Sequence, residues 1–378
     1  AAPRSVGGWL QYESYTGTVT IATEYTGAYT NLTIAENLTI LGGRWTHKDN
    51  STYGSGNTEK YRLRVTVGRD LAIGSNAMIN VDALGYAMGQ GPGRGTVVFD
   101  SGGYGGLGGS TSANGPFSSV YGSIATPTNL GSGGSYGGGD CGGGAVWLEV
   151  AGSVLHNGII SANGVGPNQS AGSGGSVWIT AGSLAGSGTI RANGGDDWRC
   201  SGGGGRVAVV VTNSGATFGG YSGTLLAAGG SQGFPGAAGT VYRQTAAQAG
   251  GHGTLVINNN GSTAAGGVHT LMAGPVNLGD FAEVVVTNKG NLAVNADDTL
   301  DFGAANLRGA GAGFSRVTIV EPSGVAFPNP FILSNYTLAV DGLAAVTGDW
   351  TIVTNSALSH SDNTYTETYK INLTINGS

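Results

Sequence analysis

Apolar and polar residues alternate in short runs along the whole chain. Examples are "RLRVTV" (62–67), "VWLEV" (146–150), "VWITA" (177–181) and "INLTI" (371–375). Alternation with a period of two, rich in β-branched residues, predicts half-buried β-strands. Helical spacing is absent, and each interior Gly opposes an α-helix by about 1 kcal/mol. The pattern therefore predicts an all-β fold.

Four of these runs belong to internal repeats that begin at a glycine. Their starting glycines are Gly144, Gly175, Gly205 and Gly239, which are spaced by 31, 30 and 34 residues. A valine follows two positions later each time, at Val146, Val177, Val207 and Val241. A unit of about 30 residues with two short strands cannot bury its own apolar face, but a stack of units can. We expect a parallel β-helix (β-solenoid) in which these valines lie over one another.

The chain divides into three regions that differ in glycine content and turn length, and no linker separates them. We expect one elongated body over 1–378, with N-terminal rungs (1–60), a Gly-rich repeat region (61–265) and C-terminal rungs with shorter turns (266–378). Each rung is one turn of the expected solenoid.

Glycine contributes 74 of the 378 residues, and it is densest in 101–115, 131–144 and 200–205. Such segments are either flexible linkers or ordered loops whose backbones lie against each other. Their recurrence in register with the repeats favours ordered loops.

A longer repeat joins the two ends of the sequence. "HKDN" (47–50) and "HSDN" (360–363) each precede a Glu, a Tyr and an alternating strand. A solenoid terminus without a cap exposes unpaired backbone groups. One interpretation is that a second copy supplies the next rung, which would build a head-to-tail filament. The expected assembly residues are Tyr369, Ile371, Leu373 and Ile375. A window of a longer tandem protein and a frayed end remain as alternatives.

Charge and hydropathy exclude several partners. The 16 Lys and Arg residues are scattered and the net charge is only −6, so we expect no nucleic-acid partner. No apolar run approaches the roughly 18 residues that span a bilayer, so we expect no membrane insertion. The start "AAPRSV" is typical of a mature chain after signal cleavage. We therefore expect an extracellular or cell-surface location.

Eight N-x-S/T sequons are compatible with a glycosylated, secreted surface. They begin at Asn31, Asn37, Asn50, Asn168, Asn260, Asn335, Asn372 and Asn376.

The two cysteines, Cys141 and Cys200, lie in Gly-rich loops and fit no zinc or CxxC pattern. An even number of cysteines in a secreted chain suggests a disulfide. Two rungs separate them by about 9.6 Å, whereas a disulfide needs Cα atoms within about 7 Å. We predict a bond if the loops close this gap, and two buried thiols otherwise.

Residues suited to catalysis or metal binding are sparse. Acidic residues cluster at Asp196 and Asp197, at Asp82, and at 297–301, and we interpret them as solvated turn carboxylates. Calcium needs more converging oxygens, so it is a weaker alternative and no cofactor is expected. The best enzymatic arrangement is Asp196, Asp197 and Arg199 in one loop, but we assign no catalytic residue and expect no enzyme.

Histidines and aromatic residues also bear on function. His47 and His360 occupy equivalent positions in the longer repeat, which favours a structural part, and His156, His252 and His269 are isolated. Sugar rings stack on aromatic faces, so surface glycans are a possible partner. The aromatic residues in the Gly-rich loops are Tyr104, Tyr121, Tyr136 and Trp198.

Segments such as "INVDALGYAMGQGPG" (79–93), "GGSVWITAGSLAGSGTIRANGG" (174–195) and "GGGGRVAVV" (202–210) carry a resemblance. They resemble the Gly-rich repeats of very large, adhesin-like surface proteins of environmental bacteria, which are similar to autotransporter passengers. The resemblance covers about 60–245 and implies a β-helical fold and no catalytic motif. We therefore expect an extracellular structural protein, either a fibre subunit or an adhesive stalk. A carbohydrate-active β-helix (a polysaccharide lyase, a hydrolase or a glycan-binding module) is the alternative.

Overall fold

A computed structural model describes most of the chain. The described residues are 5–50, 58–111, 118–135, 140–272, 278–294, 306–310, 315–320, 331–346, 349–353, 355–360 and 371–375. About 43% of the chain is strand. The described residues form no α-helix and only two 3-10 turns, at Phe218–Gly220 and Leu278–Asp280. None of the helical segments in this described part could cross a membrane.

The described residues form 26 strands. In chain order they are β1 (Ser5–Val6), β2 (Trp9–Gln11), β3 (Thr18–Ile21), β4 (Thr23–Glu24), β5 (Leu32–Ile34), β6 (Leu38–His47), β7 (Tyr61–Val67), β8 (Leu71–Asn80), β9 (Ala145–His156), β10 (Ile159–Ser161), β11 (Ser176–Ala185), β12 (Thr189–Arg191), β13 (Arg206–Val211), β14 (Thr224–Leu226), β15 (Thr240–Gln244), β16 (Thr254–Asn258), β17 (Thr270–Leu271), β18 (Glu283–Thr287), β19 (Asn291–Val294), β20 (Asn306–Ala310), β21 (Ser315–Val320), β22 (Phe331–Leu333), β23 (Tyr336–Val346), β24 (Trp350–Ile352), β25 (Ala357–Ser359) and β26 (Ile371–Ile375).

The first ladder of strands follows the repeats that the sequence predicted. Strands β5, β7, the start of β9, the start of β11, β13 and β15 pair in parallel, each with the next. The pairs Val146–Val177, Val177–Val207 and Val207–Val241 stand directly opposite each other. All four valines are at most 4% exposed. The predicted valine ladder is therefore confirmed.

Two further parallel ladders use the remaining strands of the same rungs. The second contains β2, the first parts of β6 and β8, and the ends of β9 and β11. The third contains β3, the ends of β6 and β8, and then β10, β12 and β14. Buried side chains from all three ladders form one continuous core that runs from Ile21 to Val241. Each rung thus contributes to three parallel ladders around shared apolar contacts.

Parallel order is not uniform, so the predicted parallel β-helix is confirmed only as an all-β fold with parallel ladders. Strand β4 pairs antiparallel with β7, and β16 folds back antiparallel on β15. Beyond this reversal β16, β18 and β20 pair in parallel, as do β17, β19, β21, β23 and β25. Strand β22 pairs with β24, and β26 pairs with the end of β23. A second apolar core, which extends to Val340, fills this region.

The Gly-rich segments are ordered wherever they are described. Three successive rungs each make a loop that is closed at its base by a glycine pair, and we call these the neck loops. The pairs are Gly164 with Gly172, Gly194 with Gly202, and Gly229 with Gly236. The same backbone bond closes each loop: Gly172 N to Val165 O (2.9 Å), Gly202 N to Gly195 O (2.9 Å) and Gly236 N to Gly230 O (3.0 Å).

Backbone contact explains why glycine is required at the necks. A Cβ added to Gly194 would lie 2.0 Å from the carbonyl oxygen of Gly202, which no side chain tolerates. The segment 101–110 is entirely buried and crosses these necks. Gly105 N donates to Gly204 O (2.9 Å), and Gly203 N donates to Gly102 O (2.9 Å). Lateral backbone bonds of this kind satisfy buried polar groups without regular sheet.

Candidate functional site

A polar groove crosses the turns that follow β10, β12 and β14 of the third ladder and the turn that follows β16. Its volume is about 610 Å³, and its walls come from four successive turns. The lining residues are 163–164, 191, 193–196, 228–231 and 259–262. Six of the fifteen lining residues are glycines, of which Gly194 is partly exposed and Gly261 is exposed.

Asparagines at equivalent positions of the rungs build one wall. Asn163 Oδ1 accepts from Asn193 N (2.8 Å), and Asn193 Oδ1 accepts from Ala228 N (2.9 Å). Asp82 occupies the same position one rung earlier, where its Oδ1 accepts from Asn163 N (2.6 Å). These bonds fix each amide through its oxygen. Among the described residues, the Nδ2 groups of Asn163 and Asn193 have no protein acceptor, and both residues are half-buried.

One cation and one carboxylate complete the groove. Arg191 Nε donates to Ser161 Oγ (3.1 Å). Asp196 Oδ1 accepts from Ser231 N (2.6 Å) and from Ser231 Oγ (3.2 Å). The two opposite formal charges leave the lining neutral overall. Both charged groups are oriented by bonds to an adjacent rung.

Two exposed aromatic residues lie on the neck loops, outside the residues that line the groove. Trp198 is 66% exposed and Phe234 is 45% exposed. Phe234 N donates to Arg199 O (2.7 Å), which joins the two loops. The Arg199 guanidinium lies 3.4 Å from the Phe99 ring centroid and donates to Gln169 Oε1 (3.3 Å). Arg199 is therefore used in packing the loops.

The predicted enzymatic arrangement does not converge on one cavity. Asp196 lines the groove, whereas Asp197 is only 4% exposed and accepts from Arg199 N (2.8 Å). Arg199 stacks on Phe99 instead of facing Asp196. These three neighbours in sequence therefore have three different environments.

Asp197 has a buried carboxylate neighbour, Asp140. Asp140 is fully buried, and its Oδ1 accepts from Asn168 N (3.3 Å). The second oxygen of each carboxylate is buried and has no hydrogen-bond partner among the residues that the structure describes. Burial raises the pKa of Asp140 to about 7, and the negative charge of Asp197 adds to the rise. No group of three or more His, Cys, Asp or Glu side chains suited to a metal occurs within the described ranges. Asp82 is bonded within its ladder, and 297–301 lie outside the described residues.

In the structure Cys141 and Cys200 are free and not bonded to each other. Cys141 is partly exposed and Cys200 is buried. The chain at 171–172 passes between them: a Cβ on Gly172 would lie 2.1 Å from Cys141 O, and Ala171 N donates to Cys200 O (3.0 Å). A neighbouring rung therefore lies between the two loops, and the disulfide stays a prediction.

One predicted glycosylation site, Asn50, has a buried side chain whose amide is bonded within the protein. Asn50 is 5% exposed, and its Nδ2 donates to the carbonyl oxygens of Tyr61 and Leu84 (both 2.9 Å). Its Oδ1 accepts from Tyr61 N (2.8 Å), so the side chain anchors a turn. Asn31 is half-buried and donates to two threonine hydroxyls.

Of the remaining sequons, four have exposed asparagines and two have side chains that the structure does not describe. The exposed ones are Asn37, Asn168, Asn260 and Asn335. Asn372 lies in β26, where only the backbone is described, and Asn376 lies outside the described residues. Glycosylation at all of these stays a prediction.

The histidines of the core have structural environments. His47 is 2% exposed; its Nδ1 bonds Lys48 O (2.6 Å) and its Nε2 accepts from Ala145 N (3.2 Å). His156 is fully buried, and its Nδ1 bonds Tyr221 Oη (2.9 Å). Burial lowers the pKa of both imidazoles to about 4.

The aromatic residues singled out from the sequence differ in accessibility. Tyr104 is fully buried against Tyr121, with ring centroids 4.5 Å apart, and bonds Ser176 Oγ (2.7 Å). Tyr136 lies outside the described residues. Trp198 is the one that the structure describes as strongly exposed. The groove asparagines were missed, although their repeated "SANG" (161–164) and "RANG" (191–194) contexts carried the signal.

No protein-family model, curated protein or solved structure matches this chain.

Proposed function

We propose that this chain is an extracellular structural protein, a fibre subunit or adhesive stalk built as a parallel β-solenoid. The observation that carries the proposal is the register of the first ladder, in which Val146, Val177, Val207 and Val241 stand opposite one another. Stacked rungs of this type form quasi-one-dimensional bodies that contact their neighbours only.

The hydrogen-bond network suits a mechanical role. Rungs are joined by backbone bonds in three ladders at once, so separating two rungs breaks many bonds together. The buried segment 101–110 adds bonds across the neck loops, such as Gly109 N to Ser201 O (2.8 Å). Hydrogen bonds shielded from water are costly to leave unmade. Both features favour a stiff body.

Head-to-tail assembly is the second part of the proposal. Strand β26 pairs in parallel with β23, from Gly342 opposite Ile371 to Val346 opposite Ile375. We assign the other edge of β26 to a strand of a second copy, with Ile371, Leu373 and Ile375 alternating along it. Tyr369 lies outside the described residues. An added strand gives affinity through main-chain bonds and specificity through alternate side chains.

Sedimentation and electron microscopy of the purified chain test the assembly. We expect filaments or end-to-end oligomers whose population grows with concentration. The double substitution Ile371→Lys and Leu373→Lys should shift the population to monomers. Leu155→Lys is the matched control, because Leu155 is 50% exposed on a lateral strand. A chain that stays monomeric at high concentration, or equal assembly by all variants, refutes head-to-tail assembly. Labelling of intact source cells with an impermeant reagent tests the location separately.

A further inference from the structure

We infer that the polar groove binds a linear, uncharged polysaccharide. Trp198, on the neck loop that contains Asp196, would be an adjacent stacking face. This site does not depend on filament assembly. Such a site would let the protein bind a specific ligand on the lateral surface formed by the turns of successive rungs.

The amide donors of the groove are arranged periodically. Asn163 and Asn193 occupy equivalent positions on neighbouring rungs, which strand pairing spaces by about 4.8 Å. The backbone of the next rung fixes each Oδ1. The Nδ2 groups are left as donors, already oriented before any ligand arrives. Preorganised donors cost less conformational entropy on binding. These two donors, one rung apart, match a ligand whose hydroxyl groups repeat along its length.

The other polar groups supply what sugar hydroxyls also need. Hydroxyl groups both donate and accept, and planar carboxylate, amide and guanidinium groups can each contact two neighbouring hydroxyls. Asp196 offers acceptors and Arg191 offers N–H donors beyond the one used on Ser161. Because the two formal charges cancel, the lining favours neutral over anionic sugars.

The shape of the groove favours a polymer. Its lining spans four successive turns and is open to solvent along its length. Gly261 is exposed and nothing lies within 4 Å of its Cβ position, so a flat chain can approach the backbone of that turn. A closed pocket would instead favour a small molecule.

Two exposed aromatic residues outside the lining offer an apolar surface on the neck loops. Trp198 follows Asp196 by two residues in the same neck loop, and it is 66% exposed. Phe234 lies on the next neck loop, bonded through its backbone to Arg199. The Arg199 guanidinium carbon lies 3.4 Å from the Phe99 ring centroid and 6.0 Å from the Trp198 ring centroid, so it contacts aromatic rings of two loops. The C–H faces of sugar rings pack against such exposed aromatic faces.

The groove is suited to binding and not to cleavage. Glycoside hydrolysis uses a pair of carboxyl groups that flank the bond. The described lining contains one carboxylate, Asp196, while Asp197 is buried and bonded to its own loop. We therefore assign recognition without hydrolysis.

Calorimetric titration with hexasaccharides tests the site. The probes are cellohexaose, mannohexaose and xylohexaose as neutral chains, with hexagalacturonate as the anionic comparison. We expect at least one neutral chain to bind, with its affinity lowered about tenfold by Asn193→Asp and by Trp198→Ala. Asn193→Asp keeps the Oδ1 that accepts from Ala228 N and removes the amide donors. Asp82 already fills the equivalent position in another rung, so this variant is compatible with the fold.

The matched control is Asn157→Ala. Asn157 Oδ1 accepts from Ser187 N (3.1 Å), which is a similar bond between rungs in a different surface cavity. We expect this variant to bind sugars as the parent does. The inference is overturned if no neutral chain binds, if hexagalacturonate binds more tightly than every neutral chain, or if Asn157→Ala weakens binding as much as the groove variants.

Discussion

The indole rings of Trp147 and Trp178 stack face to face on neighbouring rungs, with centroids 4.5 Å apart and an interplanar angle of 18°. Strand pairing sets this stack, because the two residues are register partners. The Arg64 guanidinium covers the other face of Trp147 at 3.7 Å and also pairs with Glu149 (3.1 Å). The ladder that aligns valines inside the core thus aligns aromatic rings on its other face.

Removal of one stacked ring should destabilise the fold. We expect Trp178→Ala to lower the free energy of unfolding by about 3 kcal/mol, because it leaves a cavity against Trp147. Trp198→Ala should change it by no more than about 0.5 kcal/mol, because Trp198 is mostly exposed. Urea denaturation of both variants provides the comparison. Equal losses would mean that the stack contributes nothing beyond surface packing.

Glycines between rungs should not tolerate a methyl group. A Cβ on Gly175 would lie 1.9 Å from Gly144 O, and one on Gly205 would lie 2.1 Å from Gly175 O. We expect Gly175→Ala and Gly205→Ala to destabilise by more than about 2 kcal/mol, since the rungs must separate. Gly250→Ala is the control, because nothing lies within 4 Å of its Cβ position. Thermal unfolding measures all three, and a tolerant Gly175→Ala would contradict the close packing of rungs.

Acid should weaken the fold through His47 and His156. Burial lowers the pKa of both from 6.5 to about 4 in the folded protein. The unfolded chain therefore binds more protons between these values, and stability falls as pH falls through this window. Above about pH 6.5 and below about pH 4 these two groups cause no further change. Protonated His47 could not accept from Ala145 N.

Denaturant titrations at pH 7.5, 5.5 and 4.5 measure this dependence. Since carboxyl groups also titrate in acid, His47→Asn and His156→Asn isolate the histidines. Each variant should be less stable at neutral pH, with a shallower fall between pH 6.5 and 4. An unchanged slope in both variants would exclude the histidines as its cause.

Asp140 should make the folded protein more stable as the pH falls, which is opposite to the effect of the histidines. Its pKa is raised from 3.8 to about 7 in the fold, so the folded protein binds the extra proton. Its favourable contribution is complete below about pH 3.8, is lost as pH rises to about 7, and does not change further above that. Asp140→Asn should therefore be more stable than the parent at pH 8.

Melting temperatures at pH 8 test this expectation, and added Ca²⁺ tests the calcium alternative in the same experiment. If Ca²⁺ stabilises the parent and not Asp140→Asn, the two buried carboxylates bind the cation. If Asp140→Asn melts below the parent without Ca²⁺, the carboxylate is stabilising as an anion and the raised pKa is wrong.

Local periodicity made part of the structure predictable. Alternation predicted strands such as β7 and β9, and the spacing of Gly144, Gly175 and Gly205 predicted which valines stand opposite each other. Both signals come from residues that recur at a constant spacing from one rung to the next. The reversal between β15 and β16 breaks that spacing, so no repeat indicated it.

The burial and hydrogen-bond partners of single polar residues were not predictable from periodicity. Asn50 satisfies the sequon pattern, yet its amide bonds Tyr61 and Leu84. The cysteines recur in similar loops, yet 171–172 pass between them. Asn163 and Asn193 look like ordinary turn residues until strand register places one amide oxygen on the next backbone. A motif gives the chemistry of a residue but not its neighbours from distant rungs.

The amino-acid sequence by itself determined the all-β class, the rung length and the valine register, because side-chain alternation and repeat spacing are local properties of the chain. Only the tertiary structure decided the antiparallel reversal, the separated thiols, the buried Asp140–Asp197 pair and the polar groove. Each of these depends on which backbone lies against which across rungs, and that is set by the packing of glycine-rich loops whose sequences are nearly alike.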